Sequence, residues 1–287
     1  MAIHIDLAWR GDRAFARVDG GEEFLVGRRV RWAQPGSGPS RIGLINTEGA
    51  GALAYSAAAF EGAFGVWARV LEPTAWCEGR SFLTLNTYDR AGFTFGFAQF
   101  AAHVPDGDFV RWLRAMLARP EAGEWLPELE VAEGRVRRRG RAEPMETSAS
   151  TAGLRTWLNP GPAVEAAELE TAARLIGWTR AEPETRALQV RFAAEAAKRI
   201  LREADTRLGL DGREAAVCCA VFDIRHQGRG TYGQMRTALA EREPLEALLR
   251  IGAGAYRSRV ATLRARIAAA ELEGWRWSRA AGELVRG

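Results

Sequence analysis

Two carboxylic acids, Glu61 and Asp89, are the side chains whose types and spacing fit a definite chemistry. Cleavage of a glycosidic bond needs one acid that protonates the leaving oxygen. It also needs a second group that meets the oxocarbenium-like carbon from the other face. Phe60, Phe64 and Trp67 surround Glu61 in the sequence pattern, and an apolar setting favours the protonated form of a carboxyl group. Glu61 is therefore the predicted acid and Asp89 the predicted second carboxylate, orienting water or stabilising positive charge.

A helix followed by a β-hairpin is predicted to position these two residues. The apolar residues Leu53, Ala57, Phe60, Phe64 and Trp67 recur at helical spacing, and Gly62 and Gly65 weaken the helix just after Glu61. Residues 82–88 and 93–95 have strand composition, and residues 89–92 between them have turn chemistry. Two plainer interpretations stay open: Glu61 as a solvent-facing helical residue, and Asp89 as a turn residue that bonds only to nearby backbone.

Other polar side chains are predicted to contact a substrate. Those on the hairpin and just after it are Thr84, Asn86, Thr87, Tyr88, Thr94, Gln99 and His103, and one more, Asp223, ends an apolar and therefore buried helix. The sequence contains no phosphate-binding loop, dinucleotide fingerprint or metal-ligand cluster. Cys77, Cys218 and Cys219 fit neither a disulfide framework nor a zinc site. We therefore predict that the protein uses no metal and no cofactor.

Residues 48–118 resemble the lysozyme-like superfamily of lysozymes, lytic transglycosylases and related chitosanases. The resemblance rests on Glu61, on the hairpin residues 86–92, and on Gly96-Phe97-Ala98-Gln99, which is similar to the G-[apolar]-x-Q signature after the hairpin. It implies a glycoside hydrolase, such as a phage-type endolysin, that cleaves the β-1,4 bonds of peptidoglycan as a muramidase. Gly62 stands where transglycosylases place Ser after the catalytic Glu, which favours a hydrolase.

Three other functions are open at this point. One is a chitosanase-like hydrolase, and another is a non-catalytic wall-binding or phage structural protein with the same fold. The third is nucleic-acid binding through an arginine cluster, although nucleic acid is not the expected partner. The cluster comprises Arg135, Arg137, Arg138, Arg139 and Arg141.

The charge balance favours an anionic partner. The net charge is +4 and the isoelectric point about 9.3, which suits peptidoglycan strands better than the polycation chitosan. No apolar run is long enough to span a membrane. The first residues lack the layout of a signal peptide, so we expect synthesis in the cytoplasm and delivery to the wall by release or by a phage-type route. The sequence does not indicate the oligomeric state.

The predicted fold class is α+β, mainly α. We expect a lysozyme-like helical domain over residues 46–287, with a small β-hairpin at the cleft and a short β-rich N-terminal extension over residues 1–45. Within the catalytic domain, a connecting segment is predicted near residues 134–162, after an exposed hairpin around Glu133-Gly134. Residues 34–40 are predicted to be a loop.

Overall fold

The computed structural model describes residues 3–32, 41–48 and 53–287. The loop prediction for residues 34–40 lies outside these ranges. The chain divides into two compact units, and each unit is assembled from two segments. Unit 1 contains the residues up to 54 together with 81–189, and unit 2 contains residues 55–80 and 190–287. Glu61 therefore belongs to unit 2, whereas Asp89 belongs to unit 1.

Unit 1 is built on a seven-stranded antiparallel sheet whose strands lie in chain order. The strands are β1 Ile5–Arg10, β2 Arg13–Val18, β3 Phe24–Trp32, β4 Arg41–Asn46, β5 Leu85–Asn86, β6 Thr94–Phe95 and β7 Phe100–Ala101. A second sheet in this unit pairs β8 Leu129–Ala132 with β9 Arg135–Arg138. The turn that carries Asp89 connects β5 to β6.

The predicted fold class is wrong. The chain does not form a mainly helical lysozyme-like domain with a small hairpin, because its N-terminal part contributes a seven-stranded antiparallel sheet. Two helices are inserted between the fourth and fifth strands, and the other helices follow the sheet. The early strands and the hairpin belong to the same sheet, since Ile45 pairs with Asn86 and Asn46 with Leu85. A residue pattern locates strands, but it does not show which distant strand each one pairs with, because that depends on cross-strand and burial contacts.

The helices of unit 1 cover the sheet and enclose an aromatic core. They are α3 Asp108–Leu117, α4 Ala122–Trp125, α5 Ala152–Leu158, α6 Ala166–Ala181 and the first residues of α7 Pro183–Leu208. The hairpin ring of Phe95 stacks on Trp112 of α3 with centroids 5.4 Å apart, and Phe93 packs edge-on against Phe109 at 5.8 Å. These rings are fully buried, so hydrophobic packing fixes β6 against α3.

A buried glutamine of α7 holds the end of the hairpin. Gln189 donates to the carbonyl of Phe82 at 3.1 Å and accepts from the amide of Phe97 at 3.2 Å. Gly96 passes directly beside this amide with φ +84, a conformation that favours glycine. The Gly96–Gln99 motif that suggested a catalytic family is therefore a tight turn around Gln189.

Unit 2 is helical apart from one two-stranded sheet. Its helices are α1 Ala57–Phe64, α2 Val66–Cys77, the remainder of α7, α8 Ala215–Gln227, α9 Tyr232–Leu239, α10 Pro244–Arg250 and α11 Arg257–Ala269, and its sheet pairs β10 Trp275–Ser278 with β11 Glu283–Arg286. Gly65, with φ +55, separates α1 from α2. The apolar helix α8 is buried from Ala215 to Ile224 at nearly every position. It packs against α2, α10 and α11, and it is therefore the core helix of this unit.

Replacing Gly96 by Ala should destabilise the protein strongly. An added Cβ would stand 2.3 Å from Oε1 and 2.8 Å from Cδ of Gln189, in a backbone conformation that disfavours any side chain. We expect the free energy of unfolding to fall by about 2–4 kcal/mol, the usual cost of a left-handed residue plus overpacking. Gly134→Ala is the control, because Gly134 has φ +72 with open space around it, and it should cost only about 1 kcal/mol. Equal losses for the two variants in urea denaturation would contradict this role of Gln189.

Candidate functional site

The turn of the hairpin in unit 1 presents Asp89 in a fixed orientation. Its Oδ1 accepts from the amide of Ala91 at 2.8 Å, and its Oδ2 accepts from the side-chain amide of Asn86 at 2.9 Å. Asn86 also accepts from the amide of Tyr88 at 3.1 Å. Both carboxylate oxygens thus have local partners, as in an Asx turn. Asp89 is half-buried, so part of the residue remains accessible to solvent.

Thr87 anchors this turn to the sheet and to α6. Its hydroxyl accepts from the amide of Leu44 at 2.7 Å and donates to Oε1 of Glu168. Gly43 lies so close that an added Cβ would be 2.7 Å from the Thr87 hydroxyl. Thr87 is fully buried, so its hydroxyl supports the turn and does not face a ligand.

Glu168 is a buried carboxyl group that sequence reasoning missed. Its Oε2 has no hydrogen-bond partner among the described residues. Burial raises the pKa of Glu168 to about 7, although the bond from Thr87 and the charge of Arg41 both act to lower it. Glu168 lies in an amphipathic stretch of ordinary composition, so nothing in its local sequence distinguishes it from the solvent-facing acids of α6.

Asn159 clamps the two ends of the turn together. Its side-chain amide donates to the carbonyls of Thr87 and Gly92, each at 2.7 Å, and its Oδ1 accepts from Arg41. Arg41 also donates to the carbonyl of Gly161 at 3.0 Å. The Asp89 turn is consequently held from below by a connected set of hydrogen bonds, which we call the turn clamp: Arg41, Thr87, Asn159 and Glu168.

The remaining predicted residues of unit 1 have mixed surroundings. Thr84 and Thr94 are buried, and the Thr84 hydroxyl donates to the carbonyl of Ser81 at 3.0 Å. Gln99 has φ +49 and donates its amide hydrogen to Gly96. Tyr88 is half-buried and His103 exposed. In the described conformation Tyr88, Asn86, Asp89, Gln99 and His103 keep a surface that a ligand could reach, whereas the buried threonines do not.

Glu61, the predicted acid, lies in unit 2 and is held by an arginine. Arg69 donates from Nε to Oε1 at 2.9 Å and from Nη2 to Oε2 at 3.1 Å, and it also bonds Oε2 of Glu271 at 2.7 Å. The Glu61 side chain is 43% exposed. A guanidinium can only donate, so both Glu61 oxygens act as acceptors in this arrangement.

Asp223 is fully buried at the centre of an ion network in unit 2. Arg229 donates to its Oδ2 at 3.2 Å, Arg259 to its Oδ1 at 2.7 Å, and the Thr74 hydroxyl to its Oδ1 at 3.3 Å. Its side chain is 0% exposed. With both oxygens occupied by α2, α11 and the segment after α8, Asp223 has no oxygen that faces a ligand in this conformation.

Glu78 is the carboxyl group that the sequence reasoning missed in this network. It is the C-terminal cap of α2 and only 12% exposed, and Arg259 donates to its Oε1 at 2.7 Å. Burial alone would lower the pKa of Arg259, but its bonds to Asp223 and Glu78 raise that pKa above its usual value. A signal for Glu78 existed in the sequence, because it stands immediately before the segment that leads into the hairpin. We call Thr74, Glu78, Asp223, Arg229 and Arg259 the Asp223 network.

Cys77, next to Glu78, lies in surroundings that favour its thiol form. Burial raises the pKa of the Cys77 thiol to about 12 and that of Cys218 to about 12, and Cys219 is raised well above its usual value. The three cysteines are free. Because the thiolate is the reactive form, these side chains contribute packing rather than covalent chemistry at neutral pH.

The predicted arginine cluster of unit 1 is largely paired with acids. Arg135 bonds Asp106 at 2.8 Å and Glu146 at 3.0 Å. Arg137 bonds Glu133, and Arg139 bonds both Glu130 and two backbone carbonyls. Such pairing lowers the positive potential that a polyanion would meet.

Comparison of the chain with protein-family models, curated proteins and solved structures found no match. Among the described residues, no group of three or more His, Cys, Asp or Glu side chains could hold a metal ion. In the same ranges, no helix is long and apolar enough to cross a membrane.

Glu168→Gln should change how stability depends on pH. The folded-state pKa of about 7 lies above the ordinary value of 4.5, so the stability that Glu168 contributes is complete below about pH 4.5 and is lost as the pH rises through 7. The difference corresponds to about 3 kcal/mol at most. We expect Glu168→Gln to melt several degrees above the unmodified protein at pH 8, and to lose that advantage by pH 5.

Glu170→Gln is the control for this measurement. Glu170 lies on the same helix but is exposed and pairs with Arg174 at the surface. Its replacement should leave the shape of the melting temperature against pH unchanged. Parallel curves for Glu168→Gln and the unmodified protein would show that Glu168 does not titrate as the buried geometry requires.

Proposed function

We propose that the protein is a peptidoglycan hydrolase of muramidase type, which cleaves β-1,4 glycosidic bonds, and that Glu78 is its acid. The observation that carries this proposal is the position of Glu78 at the C-terminal end of α2. It combines low exposure with an immediate connection to the hairpin segment. Glu61 was predicted as the acid because it lies near a helix end, beside apolar residues and before the hairpin. Glu78 is closer to the hairpin in the chain and is 12% exposed, whereas Glu61 is 43% exposed.

Glu78 shares its guanidinium partner with a second carboxylate. Arg259 donates two hydrogen bonds to Oδ1 of Asp223, so its charge is not committed to Glu78 alone. In this proposal Glu78 delivers its proton to the leaving oxygen of the bound substrate.

Asp89 of unit 1 is proposed on its own surroundings, independently of Glu78, as an oriented carboxylate. Asn86 and the amide of Ala91 donate to it, and these bonds fix the direction of its two oxygens. An ionised and oriented carboxylate can stabilise an oxocarbenium-like carbon or activate a water molecule. The turn clamp restricts the movement of this turn, as a catalytic group requires.

Peptidoglycan is preferred to chitosan because of charge. A protein with a net charge of +4 attracts an anionic polymer and repels a polycation. The proposal rests on side chains rather than on the fold, because the chain does not adopt the lysozyme-like architecture that was predicted. A non-catalytic wall-binding protein is the rival that the following experiment separates.

Three single variants on purified peptidoglycan test the proposal. Glu78→Gln keeps shape and hydrogen-bonding capacity but cannot deliver a proton, so release of reducing ends should fall about a hundredfold or more. Asp89→Asn should cost less if Asp89 only stabilises charge, and as much if it activates water. Mass spectrometry of the released fragments should show reducing rather than anhydro ends.

Glu61→Gln is the matched control, since Glu61 is also a helical glutamate bonded by an arginine of unit 2. It should retain most of the activity if Glu78 is the acid. Loss of activity in Glu61→Gln, with normal activity in a folded Glu78→Gln protein, would return the acid to Glu61. If every preparation pellets with the wall and none of them releases fragments, that result would favour the non-catalytic rival.

A further inference from the structure

Two arginines of unit 2 lie against one tryptophan beside Glu78. The guanidinium carbon of Arg80 is 3.6 Å from the ring centroid of Trp76, and that of Arg266 is 3.2 Å from it. A carbon this close must lie almost directly above the ring, and two guanidinium groups cannot occupy the same place. They therefore lie on opposite faces of the indole, and we call these three residues the Arg-Trp-Arg clamp.

The flat stacking leaves the hydrogen-bond donors of both arginines directed outward. A guanidinium carries its N–H groups in its own plane, so a group that lies parallel to the indole points its N–H edge away from the ring. Within the described ranges, no carboxylate lies within 4.0 Å of the guanidinium nitrogens of Arg80 or Arg266. All three side chains are half-buried. The clamp thus presents two cationic forks that lack an acid partner.

The elements that build the clamp also hold Glu78. Arg259 and Arg266 are two helical turns apart on α11, so they lie on the same face of that helix. Arg259 bonds Glu78 at 2.7 Å, and Arg266 stacks on Trp76 of α2. Arg80 follows Glu78 by two residues, with φ +62, and its carbonyl accepts from the amide of Tyr55. The clamp and the proposed acid therefore share the C-terminal end of α2.

We propose that the Arg-Trp-Arg clamp binds carboxylate groups of an acidic glycan. A guanidinium edge matches a carboxylate bidentately, and the two edges here are held apart by a rigid indole. A nucleic-acid site would need a longer row of cations that follows the phosphate backbone. The arginine cluster of unit 1 is paired with acids instead. The inference rests on the proposed function, because the acidic sugar would be bound next to Glu78, the proposed acid.

The Glu78→Gln protein gives a direct binding test, because wall material is not consumed. Arg80→Gln combined with Arg266→Gln should weaken pelleting with purified peptidoglycan about tenfold or more, the scale expected for losing two charge-assisted contacts. Arg264→Gln is the matched control, since Arg264 lies on the same helix but pairs with Glu246, and it should bind as before. N-acetylmuramic acid should compete for the site, whereas N-acetylglucosamine, which lacks the carboxylate, should not.

The other outcomes are also decisive. Unchanged wall binding in the double glutamine variant overturns the clamp, even if the enzyme cleaves the wall. Preferential competition by a single-stranded oligonucleotide overturns it in favour of nucleic acid, and competition by inorganic phosphate but not N-acetylmuramic acid assigns the site to phosphate and overturns the glycan. If wall binding follows this pattern but Glu78→Gln still lyses, the proposed acid fails and the clamp stands.

A paired lysine variant covers the case in which the glutamine variant does not fold. Arg80→Lys with Arg266→Lys keeps the charge and the aliphatic stem but loses the planar fork. Its wall binding should fall by less than in the glutamine variant while its melting temperature holds. A purely structural role, with the two cations only stabilising the C-terminal end of α2, predicts a lower melting temperature and unchanged wall binding in both variants.

Discussion

Unit 2 depends on one buried charge, the carboxylate of Asp223. An isolated carboxylate in a protein interior costs several kcal/mol, and the cost is offset only when good partners surround it. Arg229 and Arg259 supply those partners, and they approach from the segment after α8 and from α11. Their positions in turn decide where other groups can lie. Because Arg259 must reach Asp223, it is also within 2.7 Å of Glu78, and the end of α2 is fixed beside α11.

Unit 1 contains two buried carboxyl groups with different surroundings: Arg114 and Arg135 bond the fully buried Glu146, whereas Glu168 has no arginine contact of this kind. Glu168 meets a threonine hydroxyl instead of a guanidinium contact, and its second oxygen has no partner among the described residues. A carboxyl group in that position is most stable when protonated, which is why burial raises the pKa of Glu168 to about 7. The Asp223 network keeps its charges paired, whereas the turn clamp beneath Asp89 includes a group whose charge changes near neutral pH.

The sequence predicted local structure better than it predicted pairing. Turn chemistry at residues 89–92 and strand composition on either side correspond to β5 and β6, because those preferences act over a few residues. Strand β4 pairs with β5, with Ile45 opposite Asn86, although two helices separate these strands in the sequence. No periodicity of the sequence encodes this pairing. The burial of Glu78 cannot be seen in the sequence for the same reason, because the arginine that covers it is 181 residues away in the chain.

The density of arginines along the sequence was misleading for the same reason, because it does not show which tertiary contacts each arginine makes. Five arginines within residues 135–141 suggest a basic surface, yet Arg135, Arg137 and Arg139 each bond acids close by in the structure. The two arginines of the Arg-Trp-Arg clamp are 186 positions apart in the sequence, so they form no visible cluster. A cation acts on a ligand only through the charge that neighbouring acids leave uncompensated. Positions with uncompensated charge are consequently set by tertiary contacts, and arginine density along the chain does not identify them.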